Sequence, residues 1–197
     1  MIQSGEEPDC GAENGHVAGG TGDFSVILDQ EGKYFYFLFS HYGGPAEQQG
    51  VALARMAFED RDSPQGPVWK WSEGGWGNRD CSVRSPPVLP VRTRWQEANT
   101  DAFWGPSVHW NTYLNQYVVL LNHACCEPGW PQEGIYVVFS NDIGNPETWT
   151  QPRKILDGVG WYPRVLGLGP GESDKLAGHR TPLFVDGQSR WTLTFDP

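Results

Sequence analysis

An internal repeat limits what this chain can fold into. The segment Gly22-Asp23-Phe24-Ser25-Val26-Ile27-Leu28 is followed by a turn at Asp29-Gln30-Glu31-Gly32 and the apolar run Tyr34-Phe35-Tyr36-Phe37-Leu38-Phe39. A polar loop, Ser40 to Gln49, leads into Gly50-Val51-Ala52-Leu53-Ala54-Arg55, and an edge-like segment carries Trp69-Lys70-Trp71. The same order returns at Trp104-Gly105-Pro106-Ser107-Val108-His109-Trp110, then Tyr117 to Leu121, then Gly134 to Ser140, and ends in Trp149 to Leu156. Ser25 and Ser107 are 82 positions apart, and Gly50 and Gly134 are 84 apart, so the two units run nearly in register. A third begins at Trp161-Tyr162-Pro163-Arg164-Val165-Leu166 and continues through Thr181 to Gly187 and Ser189 to Phe195. Repetition at a fixed period signals an architecture built from stacked supersecondary units.

The second and third segments of each unit are nearly continuous in apolar residues. That pattern predicts strands buried on both faces, as the inner strands of propeller blades are, with a more polar fourth strand at the rim. With 25 Gly and 16 Pro spread along 197 residues, long helices are disfavoured and many short strands are expected. The fold class expected is therefore all-β, a β-propeller with about two complete blades (about 22–75 and 104–157) and a three-stranded third (161–197). The loop 76–103 joins the first two and reads as an insertion near the site. Residues 1–15 read as an N-terminal tail. Propellers close with four to eight blades, so the ring is expected to need further blades or self-association.

The net charge of −10 argues against a nucleic-acid partner, which needs a basic surface to neutralise phosphates. No apolar run is long enough to span a bilayer, so no membrane partner is expected. The stretch Met1 to Cys10 is polar and acidic, unlike a signal peptide. The location is secreted or periplasmic if a leader has been removed, and otherwise cytoplasmic. The cysteines at 10, 81, 125 and 126 fit no zinc spacing. Adjacency strains a mutual disulfide of Cys125 and Cys126, and buried free thiols are the plainer reading, with disulfides as the alternative.

The spacing resembles five-bladed propeller glycoside hydrolases, family 43 and its relatives. Asp23-Phe24-Ser25-Val26 stands where those enzymes open the first blade with Asp-Pro-x-Val, and Trp104-Gly105-Pro106-Ser107-Val108 matches their Trp-Ala-Pro-x-Val. Ser140-Asn141-Asp142 with Pro146 and Trp149 matches their turn between third and fourth strands. The resemblance, over about residues 16–197, implies hydrolysis of polysaccharide or oligosaccharide by paired carboxylates, with Asp23 as general base. Two departures stand out: Tyr162 occupies the place of the aspartate that tunes the acid, and the Glu-Gly-Pro motif of the acid is missing.

In such a fold the loops entering first strands and those joining second to third strands line the central pocket. The first set contributes His16, Asp23, Asp101, Trp104, Trp161 and Tyr162, and the second contributes His41, Tyr42, Asn122, His123 and Glu133. Asp23 and Glu133 are the candidate catalytic pair, which would need a carboxyl separation of ~5 to 9.5 Å. Trp104, Trp110, Trp161 and Tyr162 could stack on sugar faces, and His41, Asp101, Asn122 and His123 could hydrogen-bond to hydroxyls. Arg164 could hold an acidic sugar. The same residues have plainer uses as core aromatics, solvated charges and salt bridges. No cofactor is expected, and no metal ligands are assigned, although two loop histidines leave room for a structural or pocket cation such as calcium. The alternatives to a glycosidase are a non-catalytic propeller that binds carbohydrate or protein, and a fragment without independent activity.

Overall fold

The computed structural model describes residues 21–63, 67–72, 74–77 and 85–196. His16, Cys10, Cys81 and the tail 1–15 lie outside them. The protein is all-β, with 52% of the described residues in strands and 5% in short helical turns, and one sheet is curled into a half-barrel. No described helix is long and apolar enough to cross a membrane.

The first sheet is an antiparallel meander of β1 (Thr21–Leu28), β2 (Tyr34–His41), β3 (Gly50–Ala57) and β4 (Val68–Ser72), extended by β5 (Gly75–Gly77). The two-residue β6 (Leu89–Pro90) pairs with the start of β3. The second sheet repeats the meander with β7 (Asp101–Asn111), β8 (Gln116–Cys125), β9 (Gln132–Ser140) and β10 (Arg153–Asp157). The third contains β11 (Arg164–Val165), β13 (Arg180–Val185) and β14 (Gln188–Thr194). Between β11 and β13, the segment read as plain loop contains β12 (Leu176–Ala177), which leaves its own unit and pairs in parallel with Trp110 and Asn111 of β7.

The middle sheet explains the continuous apolar runs. Side chains alternate between the faces of a strand, so a strand covered on both sides needs apolar residues at every position. Along β8, Tyr117, Val119 and Leu121 belong to one core, shared with Ile27, Leu38 and Leu53 of the first sheet. Val118 and Leu120 belong to a second core, shared with Val165, Leu183 and Val185 of the third. The first sheet departs from this expectation. Tyr36 and Leu38 of β2 are buried, but Phe35, Phe37 and Phe39 on its other face are only half-buried. Those three rings belong to neither core, so an apolar run did not in that case mean two covered faces.

The repeat extends to an irregularity. Asp23 and Phe24 form a bulge opposite β2, between the pairs Gly22–Ser40 and Ser25–Leu38. Gly105 and Pro106 form the same bulge opposite β8, between Trp104–Asn122 and Ser107–Leu120. Asp23 has φ 46° and Gly105 has φ 57°. Tyr162, at the matching place in the third unit, also has φ 57°. Bulges with a left-handed residue re-aim the chain and are common beside functional sites.

One cysteine expectation is corrected. Cys125 and Cys126 are joined to each other as a disulfide rather than held as buried free thiols. Cys126 is exposed.

Candidate binding cavity

The three left-handed positions converge on one end of the sheets. A cavity of about 640 Å³ opens there, with Asp23 and Tyr42 of the first unit on one side. Trp104 of the second unit and Trp161 and Tyr162 of the third complete the opposite walls. The remaining lining comes from two connections: Trp95 and Gln96 from the segment before β7, and Gly129 and Trp130 from the loop after β8. Such a volume suits a small-molecule ligand.

Buried amides hold this lining in place. Gln49 is fully buried at the end of the β2–β3 loop. Its Nε2 donates to the Gly44 carbonyl at 2.6 Å and to Gln96 Oε1 at 2.8 Å, and its Oε1 accepts from the Trp95 N–H at 3.0 Å. Gln96 Nε2 donates onward to the Tyr42 carbonyl at 2.7 Å. The Trp130 indole donates to the Trp95 carbonyl at 3.2 Å. On the other side, Asn122 Oδ1 accepts from the Tyr162 N–H at 3.1 Å, and its Nδ2 reaches the Trp104 and Gly105 carbonyls at 3.4 Å. Buried polar groups need partners, and a satisfied network fixes the parts it joins.

Asp23 is the single carboxylate among these lining residues. The Tyr42 hydroxyl donates to its Oδ2. Burial, reinforced by the Asp23 hydrogen bond, pushes the Tyr42 phenol far above its usual range, so it remains a donor. Burial and the Asp23 charge also raise the more exposed Tyr162 phenol. A bulged, left-handed aspartate is an uncommon conformation for a residue with a side chain, and such conformations cluster at functional sites.

The other sequence candidates separate into three groups. Trp104, Trp161 and Tyr162 line the cavity with Asp23. Asn122 supports it from behind without lining it. Apart from Tyr42, the other described candidates do not line it, and Glu133 has partners of its own. Glu133 belongs to β9, where the β9–β10 pairing brings Lys154 onto its Oε1. Its Oε2 accepts from the Tyr136 hydroxyl at 2.8 Å and meets His123 Nδ1 at 3.0 Å. His123 Nε2 in turn lies 2.9 Å from Asp101 Oδ1, so Asp101, His123, Glu133 and Lys154 form one ionic network. Burial lowers the proton affinity of His123, against the pull of Asp101. Both oxygens of Glu133 are engaged as acceptors, which suits a structural anion and not a proton donor to a ligand.

His41 is buried, edge-on to Phe39. Arg164 is exposed and borders a smaller groove of about 210 Å³ that it shares with Asp23 and Tyr162. Trp110 packs on Tyr117 in the core, with ring centroids 4.8 Å apart. The residues that sequence reasoning did not assign to the site are Trp95, Gln96, Gly129 and Trp130. The composition of the 76–103 insertion was the available signal for the first two.

Among the described residues one cluster of potential metal ligands gathers, Asp101 with Cys125 and Cys126. Its sulfurs are bonded to each other, which removes the thiolates a metal would need. That cluster includes neither His41 nor His123.

Compared with known proteins, no family profile matches this sequence and no curated protein matches it. Among solved structures, a GH43 β-1,3-galactosidase determined with galactodeoxynojirimycin aligns at 14% identity and a TM-score of 0.41. The alignment covers 77% of this chain and 38% of that one, so the chain spans well under half the length of that enzyme. The likeness is distant and concerns the fold alone.

Proposed function

We propose that this chain is part of a glycoside-hydrolase-like propeller whose aromatic cavity binds carbohydrate without cleaving it. The observation that carries this reading is the lining: six aromatic side chains around one carboxylate, Asp23. Flat rings with polar edges suit the apolar faces of sugars, and a carboxylate accepts from their hydroxyls. Hydrolysis by the usual route takes two carboxyl groups across the scissile bond. The second sequence candidate, Glu133, is committed to Lys154, Tyr136 and His123.

A hydrolytic reading has one observation in its favour, the left-handed backbone of Asp23 at a bulge. The experiment that separates the two is a polysaccharide panel with two readouts, retention on insoluble glycan and release of reducing ends. Retention without release is the expected result. Release of reducing ends that Asp23→Asn abolishes would replace binding with hydrolysis and make Asp23 the base. Asparagine is the suitable substitute because it tolerates the left-handed region. Retention no greater than that of a mock protein on every glycan would remove the carbohydrate reading altogether.

A further inference from the structure

The cavity is lined unlike a site that must satisfy many hydroxyl groups. Its polar atoms are largely spent on one another. The Tyr42 hydroxyl donates to Asp23, and both ends of the Gln96 amide are bonded, to the Tyr42 carbonyl and to Gln49. The Trp130 indole N–H is held by the Trp95 carbonyl. The indole N–H groups of Trp95 and Trp104 are shut away from solvent. A ligand therefore meets mainly aromatic surface and one anionic group.

The rings are also set as walls and not as one platform. Tyr42 and Trp95 stand at 79° with centroids 5.1 Å apart. Trp95 and Trp104 stand at 89°, and Trp104 and Tyr162 at 82°. Trp130 adds a further wall against Trp95 at 61°. Parallel rings along a groove would suit a chain of sugar faces. Rings at steep angles enclose a compact group instead of supporting a flat one, and an aromatic wall around one carboxylate is an environment that attracts an organic cation. Among the described residues no Lys or Arg lines the cavity. The chain carries 24 acidic against 14 basic residues, so the surrounding field favours a cation as well.

We propose that the cavity is selective for an organic ammonium ion, with the positive group enclosed by the Tyr42, Trp95, Trp104 and Tyr162 rings and paired with the Asp23 carboxylate. The proposal rests on the binding reading above and narrows its ligand: a sugar held here carries a free, protonated amine. An amino sugar and a quaternary ammonium compound share the recognised chemistry, and the experiment tells them apart.

The test is calorimetric titration of the wild-type chain, in mildly acidic buffer, with three probes: a glucosamine oligosaccharide, its fully N-acetylated counterpart, and choline. The free-amine oligosaccharide is expected to bind at least about tenfold tighter than the acetylated one, the scale of a desolvated cation–aromatic contact. Asp23→Asn is expected to remove that preference. Equal affinity for the two oligosaccharides overturns the ammonium proposal and leaves carbohydrate binding standing. Choline binding with no response to either sugar does the reverse, supporting the ammonium site and ending the carbohydrate reading. No binding of any probe overturns both. The ligand comparison is made on the wild-type protein, so the proposal stays falsifiable even if Asp23→Asn folds poorly.

Discussion

Asp23, Gly105 and Tyr162 stand at equivalent places in three units and share a left-handed backbone, yet they are three different residues. The backbone requirement is thus common to the units, while the side chain decides what each gives to the cavity. At Gly105 no side chain is tolerated: an added Cβ would lie 2.4 Å from Asn122 Nδ2. Gly105→Ala is expected to destabilise the fold by about 2 kcal/mol, from the left-handed penalty and the forced shift of Asn122. Because Asn122 also holds the Tyr162 N–H, the same substitution should weaken ligand binding. Urea unfolding and a ligand titration on one preparation check both effects, and unchanged values would remove the role assigned to this pair.

His109 supplies the clearest pH dependence at the residue scale. It is 1% exposed, neither ring nitrogen has a hydrogen-bond partner among the described residues, and burial with nearby Lys175 lowers its pKa to about 3. The unfolded chain binds a proton at this residue near pH 6.5, whereas the folded chain does not until about pH 3. Between these values the unfolded state holds more protons, so stability falls as the pH is lowered. The slope contributed by one such group approaches about 1.4 kcal/mol per pH unit. Carboxylates titrate in the same range, so the comparison is between the wild type and His109→Gln. The wild type should lose stability more steeply from pH 6.5 to 4, and parallel curves would show that His109 takes up its proton equally in both states.

At the scale of elements, the strands were legible because their signal is local and repeated. Tyr34 to Phe39 and Tyr117 to Leu121 are apolar runs bounded by turns, and they form β2 and β8. The entrances at Asp23, Trp104 and Trp161 were legible by the same repetition. What stayed hidden depends on contacts distant in sequence. Nothing local marks Leu176-Ala177 as β12, since its partner is Trp110-Asn111. Glu133 reads as a loop carboxylate until the β9–β10 pairing brings Lys154 against it. Trp95 reaches the cavity because Gln49, 46 positions earlier, holds its N–H.

That clamp predicts an effect at a distance. Gln49→Ala removes a buried acceptor and donor pair and leaves the Trp95 N–H and the Gly44 carbonyl without these partners. Its expected cost is about 2 kcal/mol of stability. Ligand affinity should fall as well, although Gln49 does not line the cavity. Gln49→Glu keeps an acceptor for Trp95 but sets a buried carboxylate oxygen against the Gly44 carbonyl and Gln96 Oε1, so it should not recover the affinity. Equal affinity in wild type and Gln49→Ala would mean that the 89–100 segment holds its place without the clamp.

For the whole molecule, the central question is whether the three sheets behave as one folding unit. β8 decides it, because its successive side chains serve two cores: Leu121 in the first and Leu120 in the second. Both are fully buried. Leu120→Ala and Leu121→Ala should each cost ~2 to 5 kcal/mol, as large-to-small changes in a packed core do. If the cores are coupled through the strand, each substitution should shift a single cooperative transition, with tryptophan fluorescence and far-ultraviolet circular dichroism unfolding together. The tryptophans report unequally on the two cores: Trp71, Trp76, Trp110 and Trp149 pack on the first and Trp191 on the second. Separation of the third sheet would therefore appear in circular dichroism with little fluorescence change. Two transitions of that kind in Leu120→Ala would show that β11, β13 and β14 are a detachable layer. In that case the wall supplied by Trp161 and Tyr162 would loosen with them, and ligand binding should disappear in the first transition and not in the second.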